Sequence, residues 1–313
     1  MIRTIAKRLL ALVPLLFVVS FVVYSLLLLV PGDPATTLAG DNPTKAQIAA
    51  TRARLGLDDS LLVQYGRWVG RALRGDLGTS LYSTQKVTSA VASRLPATLS
   101  LTFAAIGVAL LVAVPAGLLA ARRPNGIVDR LTSVGASIGV ALPSFWVGVV
   151  LIVVFTIKSN LLPPVGYIGL SESPWQWVRH MVLPATALGA VAAAETTRQL
   201  RGSMVDVMRT DYVRTATAKG MRHRTVMLKH ALKNAASPVL TVLGIQITFL
   251  LGGSVIVERM FNIPGLGSLA IDAVLSHDIP VIQGVVIVAV VVSVLANLVV
   301  DIAYGFLNPK VRA

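Results

Sequence analysis

The chain has 313 residues, 55% of them apolar and only 13% charged, with a mean hydropathy of +0.75. Soluble domains carry about 25% charged residues, so this composition excludes a soluble enzyme, a disordered chain and a collagen-like chain, and defines an integral membrane protein. Cysteine is absent, which excludes disulfides, thiolate catalysis, cysteine-ligated zinc and ordinary iron–sulfur clusters, and the net charge of +14 reads in a membrane chain as a topology signal and a mark of contact with anionic lipid or an acidic partner.

A hydrocarbon core about 30 Å thick needs about 20 apolar helical residues. Six segments qualify: 9–30, 97–121, 131–157, 181–200, 237–258 and 281–304. The first follows Arg3, Lys7 and Arg8, as a signal peptide would. It is longer than a usual signal core and ends in Val30-Pro31-Gly32-Asp33 without a small-residue cleavage site, so it is expected to be a retained helix. The fourth is the weakest, being Ala-rich and carrying Glu195, Arg198 and Gln199. With the N-terminus inside, the segments 1–8, 122–130, 198–236 and 305–313 are cytoplasmic, and 198–236 alone holds nine Lys and Arg. The short outer loops are nearly bare of positive charge, so both termini are expected in the cytoplasm.

The segment 31–96 is expected to be extracytoplasmic. Gly32, Pro34, Gly40 and Pro43 break its start. Thr44 to Leu55 then reads as an amphipathic helix, with Thr44 as N-cap and Gln47 completing a capping box. A second helix from Ser60 to Leu73 sets Tyr65 and Trp68 on an apolar side. Two readings stay open: these helices cap the outer mouth of a pore, or they form a structured loop without a direct role.

The segment 198–236 has no proline and only Gly202 and Gly220, and reads as helix, break at Gly220, helix. Such a hairpin between spans either docks in a groove of a soluble partner or serves only as a basic, lipid-facing topology signal.

Here the residues resemble a known family. Asp211-Tyr212-Val213-Arg214-Thr215-Ala216-Thr217-Ala218-Lys219-Gly220, then His230-Ala231-Leu232-Lys233-Asn234 and Pro238, resemble the cytoplasmic EAA loop of ABC-type importer permeases. More narrowly they resemble the dipeptide/oligopeptide/nickel permease family: Arg214 stands where the general pattern has an acidic residue, and Thr215 replaces its first Ala. Pro31-Gly32-Asp33-Pro34, Leu55-Gly56-Leu57-Asp58 with Gln64-Tyr65, Gly75-Asp76-Leu77-Gly78-Thr79-Ser80, Arg94-Leu95-Pro96-Ala97-Thr98, Pro264-Gly265-Leu266-Gly267, Asp301-Ile302-Ala303-Tyr304 and Pro309-Lys310-Val311-Arg312 resemble the same family in order.

The resemblance implies an all-α membrane fold of six transmembrane helices, the type I ABC importer permease fold. It divides into an N-terminal transmembrane helix (1–30), an extracytoplasmic insertion (31–96) and a five-helix permease core (97–313) containing the coupling loop 198–236. It implies a permease subunit of an ATP-driven importer in the bacterial cell membrane, forming half of a path for di-/oligopeptides or related small solutes. Expected partners are a second, related permease subunit, two ATPase subunits, an extracytoplasmic solute-binding protein and the lipid bilayer, with no nucleic acid. No cofactor is expected on this chain. It lacks a G-x-x-x-x-G-K-[ST] loop, so ATP and Mg belong to the partner ATPases.

The helix ending at Gly220 is, by this resemblance, the one that docks on the ATPase. Gly220 suits a left-handed helix end. Ala216 and Ala218 are small enough for close approach. Asp211 is expected as N-cap, where its charge suits the helix dipole. Tyr212 and Thr215 belong to the same motif. Arg214 and Lys219 either pair with partner carboxylates or stay solvated.

Glu258 with Arg259 reads either as an interfacial anchor or as part of a gate. Gln246, Thr248, Ser293 and Asn297 either line a path or hydrogen-bond between helices. Gly135 and Gly139 form a weak GxxxG pattern, and His223 and His230 are too far apart for simple shared metal ligation. A stand-alone channel or secondary carrier is the alternative, but buried mid-span ionisable residues and repeated spans are not evident. An intramembrane enzyme would need paired Asp or a Ser with Lys or His inside the spans, and none is apparent.

Overall fold

The structure is a computed structural model and describes residues 2–27, 35–36, 39 and 43–307. The Pro31-Gly32-Asp33-Pro34 box, Gly40 and Pro309-Lys310-Val311-Arg312 lie outside the described residues. The described chain is almost wholly helical. In order, α1 is Ile2–Leu27, α2 Lys45–Leu55, α3 Leu61–Ala72, α4 Val87–Arg122, α5 Ile127–Ala141 and α6 Ser144–Lys158, which ends in a π-helical turn. Then come α7 Pro174–Met208, α8 Asp211–Ala218, α9 His223–Met260, α10 Leu266–Leu275 and α11 Ile279–Leu307.

Among the described residues, α4, α7, α9 and α11 are long and apolar enough to cross a membrane. The expected third span differs from a single straight helix: α5 and α6 meet at a bend of 103° and make a fifth crossing only as a pair. Pro143 is the cause. It has no N–H to continue the ladder, and Leu142 before it is extended, at φ −83° and ψ 125°. The described apolar stretch of α1 is Val13–Ser25, so the six-span count remains an expectation. The other spans run longer than composition suggested. Helix α4 starts at Val87 rather than 97, and α7 covers 174–208 rather than 181–200. Ser173 caps α7, its hydroxyl accepting from the Gln176 N–H, and Pro174 occupies the first turn, where a missing N–H costs nothing.

The chain falls into two compact units. Residues 1–5, 97–263 and 293–313 form one, and 6–96 with 264–292 form the other.

In the first unit α7 is the central helix. Its apolar window is 56% buried, against 28% for α4 and 33% for α9, although its composition made it the weakest span. Small residues explain both facts, because they lower hydropathy and let helices approach. Ala187, Ala192 and Ala193 pack with Leu101, Ala105 and Ala109 of α4 and Leu250 and Val257 of α9. At Gly189 a Cβ would lie 2.5 Å from the Ala105 carbonyl oxygen, so only glycine permits this approach. The GxxxG pattern is half used: a Cβ on Gly139 would meet Ala194 at 3.0 Å, while Gly135 faces open space.

In the second unit the helix ends follow the sequence. Thr44 and Gln47 form the capping box of α2, and Gly56 closes that helix at φ 66°. Trp68 of α3 is 5% exposed, stacked on Tyr65, and both meet Tyr24 of α1. The Gly75–Ser80 motif is a folded turn. Asp76 accepts from the Gly78 N–H at 2.9 Å, and Ser80 donates to the buried Asp278 at 2.5 Å. Asp278 also accepts from the Leu81 N–H at 3.2 Å, and the Ser80 hydroxyl accepts from the Tyr82 and Ser83 amides.

Candidate functional site

Helix α8 is eight residues long and begins after a two-residue link, Arg209–Thr210. Thr210, not Asp211, is the N-cap. Thr210 has the extended backbone of a cap while its hydroxyl donates to the Val207 carbonyl, and Asp211 stands in the first turn, still where the helix dipole favours an acid. The link is closed on itself, since the Arg209 and Thr210 N–H groups return to the Asp206 and Val207 carbonyls. At the other end Lys219 is the C-cap and Gly220 has φ 80°. Gly220 donates to the Thr217 carbonyl at 2.9 Å and Met221 to the Ala216 carbonyl at 3.3 Å, the double closure of a Schellman motif.

The helix is anchored by one side and open on the rest. Val213 is 3% exposed and Ala216 half-buried. Asp211, Tyr212, Arg214, Thr215, Ala218, Lys219 and Gly220 are all exposed. The buried side lies against the π-helical turn Val226–Ala231 of α9. Tyr212 accepts from the Asn234 amide at 2.7 Å, and Asn234 also donates to the His230 carbonyl at 3.1 Å. The second half of the motif thus positions the first. Arg214 and Asp211 approach at 3.3 Å with both side chains largely in solvent, a contact of little energy that leaves both charges available.

The three polar residues expected at a path or gate do not converge. Gln246 is buried on α9 and donates to Glu195 of α7. Asn297 of α11 donates to Thr248 of α9 at 2.9 Å and to the Ser293 carbonyl. Glu258 lies twelve residues beyond Gln246, about 18 Å along the helix at 1.5 Å per residue. It is fully buried, which replaces the interfacial-anchor reading, and accepts from the hydroxyls of Thr98 at 2.7 Å and Ser254 at 3.1 Å. Thr98 ends the Arg94–Thr98 motif, the one sequence signal for this contact.

One constellation had no sequence signal. Arg201 of α7 forms a two-pronged ion pair with Asp129 of α5: Nε to Oδ1 at 2.8 Å and Nη2 to Oδ2 at 2.6 Å. Asp129 is 3% exposed and accepts a third bond from the Asn125 N–H at 2.8 Å. Its partner stands 72 residues away, at no helical spacing.

Among the described residues, then, a short, capped, exposed helix stands between two helices long and apolar enough to cross a membrane, the class of a multi-span helical membrane protein. Residues 113–313 match the family described as binding-protein-dependent transport system inner membrane component, and residues 1–102 match its N-terminal family. The chain belongs to this family and is a permease subunit of an ABC-type, ATP-driven importer, a multi-pass protein of the inner membrane. It is 42% identical over 312 residues to the glutathione transport system permease protein GsiC of Escherichia coli K12, covering 100% of this chain and 99% of the relative. The GsiC protein of Salmonella paratyphi A matches equally, at 42% over 312 residues with the same coverage. The fold is similar to that of the MetNI methionine ABC transporter in an inward-facing conformation, with a TM-score of 0.57 and 17% identity over 70% of this chain and 96% of that one.

Proposed function

We propose that α8 is the coupling helix on which an ATPase subunit docks. The observation that carries this is its exposure: eight of the ten residues 211–220 face solvent, on a helix fixed at both ends. In this reading two ATPase subunits, which hold the ATP and Mg, engage this chain and a second, related permease subunit. The two permeases enclose the path, and an extracytoplasmic solute-binding protein delivers cargo to it. Both termini and α8 are cytoplasmic, and α2 and α3 are extracytoplasmic. ATP-driven closure of the ATPase pair moves both coupling helices and turns the path outward, through contacts that differ in energy between the two states. This chain contributes no covalent chemistry.

The cargo we assign is a small peptide or peptide-like solute. The named relatives serve glutathione transport, and their 42% identity over the full chain supports a related cargo. Gln246, Glu258 and Asn297 are proposed at the path or its gates. Their hydrogen bonds between helices are interactions that a moving pathway exchanges.

The test is affinity purification of the tagged chain from its native membrane in mild detergent, with mass spectrometry of co-purified proteins. ATPase subunits should accompany the unaltered chain and be lost on replacing Ala216 and Gly220 with Arg. Their absence beside the unaltered chain, in detergent that preserves other complexes, sinks the reading and favours a self-sufficient channel or carrier.

A further inference from the structure

The Asp129–Arg201 pair lies two helical turns before the end of α7, on the helix that leads directly into α8. Between α7 and α8 stands only the self-bonded Arg209–Thr210 link, so displacement of α8 reaches this part of α7 with little slack. The Asn125 N–H binds the same carboxylate, in the four-residue turn between α4 and α5. One carboxylate therefore gathers the start of α5, the α4–α5 turn and the end of α7.

The close apolar approach of α5 to α7, at Gly139 and Ala194, lies ten residues further along α5 than Asp129. The adjoining α5–α7 cleft, about 170 Å³, is lined by Thr132, Ser133, Ser137, Thr197 and Arg198 besides Ala136. At this end the facing side chains are small and polar, so apolar burial contributes little to fixing how α5 sits on α7. A planar guanidinium bonded through two nitrogens to both oxygens of a carboxylate instead fixes distance and orientation together.

We propose that Asp129 and Arg201 are a positioning pair that makes α5 move as one body with α7 and α8 during the transport cycle. This rests on the reading of α8 as the docking helix. Movement of α8 is then delivered to α5 and, beyond the bend at Pro143, to α6, where Gly148 packs against Met260 and Phe261 at the end of α9. Without the pair, α7 and α8 shift and α5 lags.

The natural chain has no cysteine, so two introduced cysteines give clean spin labels. Labels at Val134 of α5 and Arg209, both exposed, report the separation in the complete importer in lipid, nucleotide-free and trapped with ATP and vanadate. The unaltered pair should give one narrow distance, the same in both states. With Asp129→Asn the distance should broaden and shift between states by about one helical turn, ~5 Å. Should that variant fail to assemble, Arg201→Lys, which keeps the charge and loses the fork, should show the same in milder form. A distance that changes between states with the pair intact overturns the proposal, as does one that stays narrow and fixed without it. A purely structural pair would lower the unfolding temperature and leave the distance state-independent. Failure of the coupling-helix reading is distinct, because no ATPase would co-purify with the unaltered chain.

Discussion

The Asn234 amide donates to the Tyr212 hydroxyl at 2.7 Å, bridging 22 residues and tying α8 to the helix that follows it. With Val213 buried and the Schellman closure at Gly220, this bond sets the angle at which α8 presents its open face. Tyr212→Phe should change stability by no more than about 0.5 kcal/mol, because both groups reach water when parted. Retention of the ATPase in a salt-wash series should nonetheless weaken several-fold. Equal retention would show that the angle of α8 is set elsewhere.

Gly220 holds φ 80°, where any Cβ is strained, although the space around it is open. Gly220→Ala should cost about 1–2 kcal/mol of local helix-end stability and loosen α8, read as faster amide exchange at 216–221. Gly220→Asn should be milder, since Asn tolerates the left-handed region. Identical exchange in all three chains would refute the strain argument.

The two glycines of the GxxxG pattern and the glycine facing α4 separate cleanly. Gly189→Ala drives a methyl into the Ala105 carbonyl and should destabilise the purified protein by about 1–3 kcal/mol in thermal unfolding. Gly135→Ala, with nothing within 4 Å, should be neutral or slightly stabilising. The reverse order would mean that α4 and α7 do not touch as described.

Thr98→Val keeps the volume but removes a donor from the buried Glu258 carboxylate. The expected loss is about 1–3 kcal/mol. Thr98→Ser should recover most of it. If Val and Ser behave alike, the hydroxyl is not what Thr98 supplies.

Ser80→Ala should weaken the turn that Asp278 holds, since a buried carboxyl loses one bond and the Tyr82 and Ser83 amides lose their acceptor. Faster proteolysis within 76–86, with the rest of the chain unchanged, is the expected result. Unchanged cleavage there would show that the motif is held by other contacts.

The helical ends were legible in sequence wherever their chemistry is local. Thr44 with Gln47, and Gly220, act through neighbours three to five residues away, so the local sequence reveals them. The motif of α8, residues 211–220, was legible through its resemblance to the family pattern, which contiguous residues carry. Asp211 was misplaced by one residue because Thr210 and Asp211 are both good caps and only the backbone decides between them.

The long-range pairs were not legible. Glu258, an acid beside Arg259 at the end of an apolar run, read as either an interfacial anchor or part of a gate; its burial, and its bond from Thr98 160 residues away, are not written in that pattern. The bend at Pro143 was hidden because its apolar flanks read as one continuous span.

The sequence by itself determined the membrane class, the helical architecture and the family, and it marked the 211–220 motif, because apolar run length, helix-end chemistry and local motifs are properties of contiguous residues. Only the tertiary structure decided that the Ala-rich α7 is the most enclosed of the long spans, that Asp129 answers Arg201, and that Glu258 is buried. Those facts depend on which helices approach one another, and small residues permit close approach without announcing the partner.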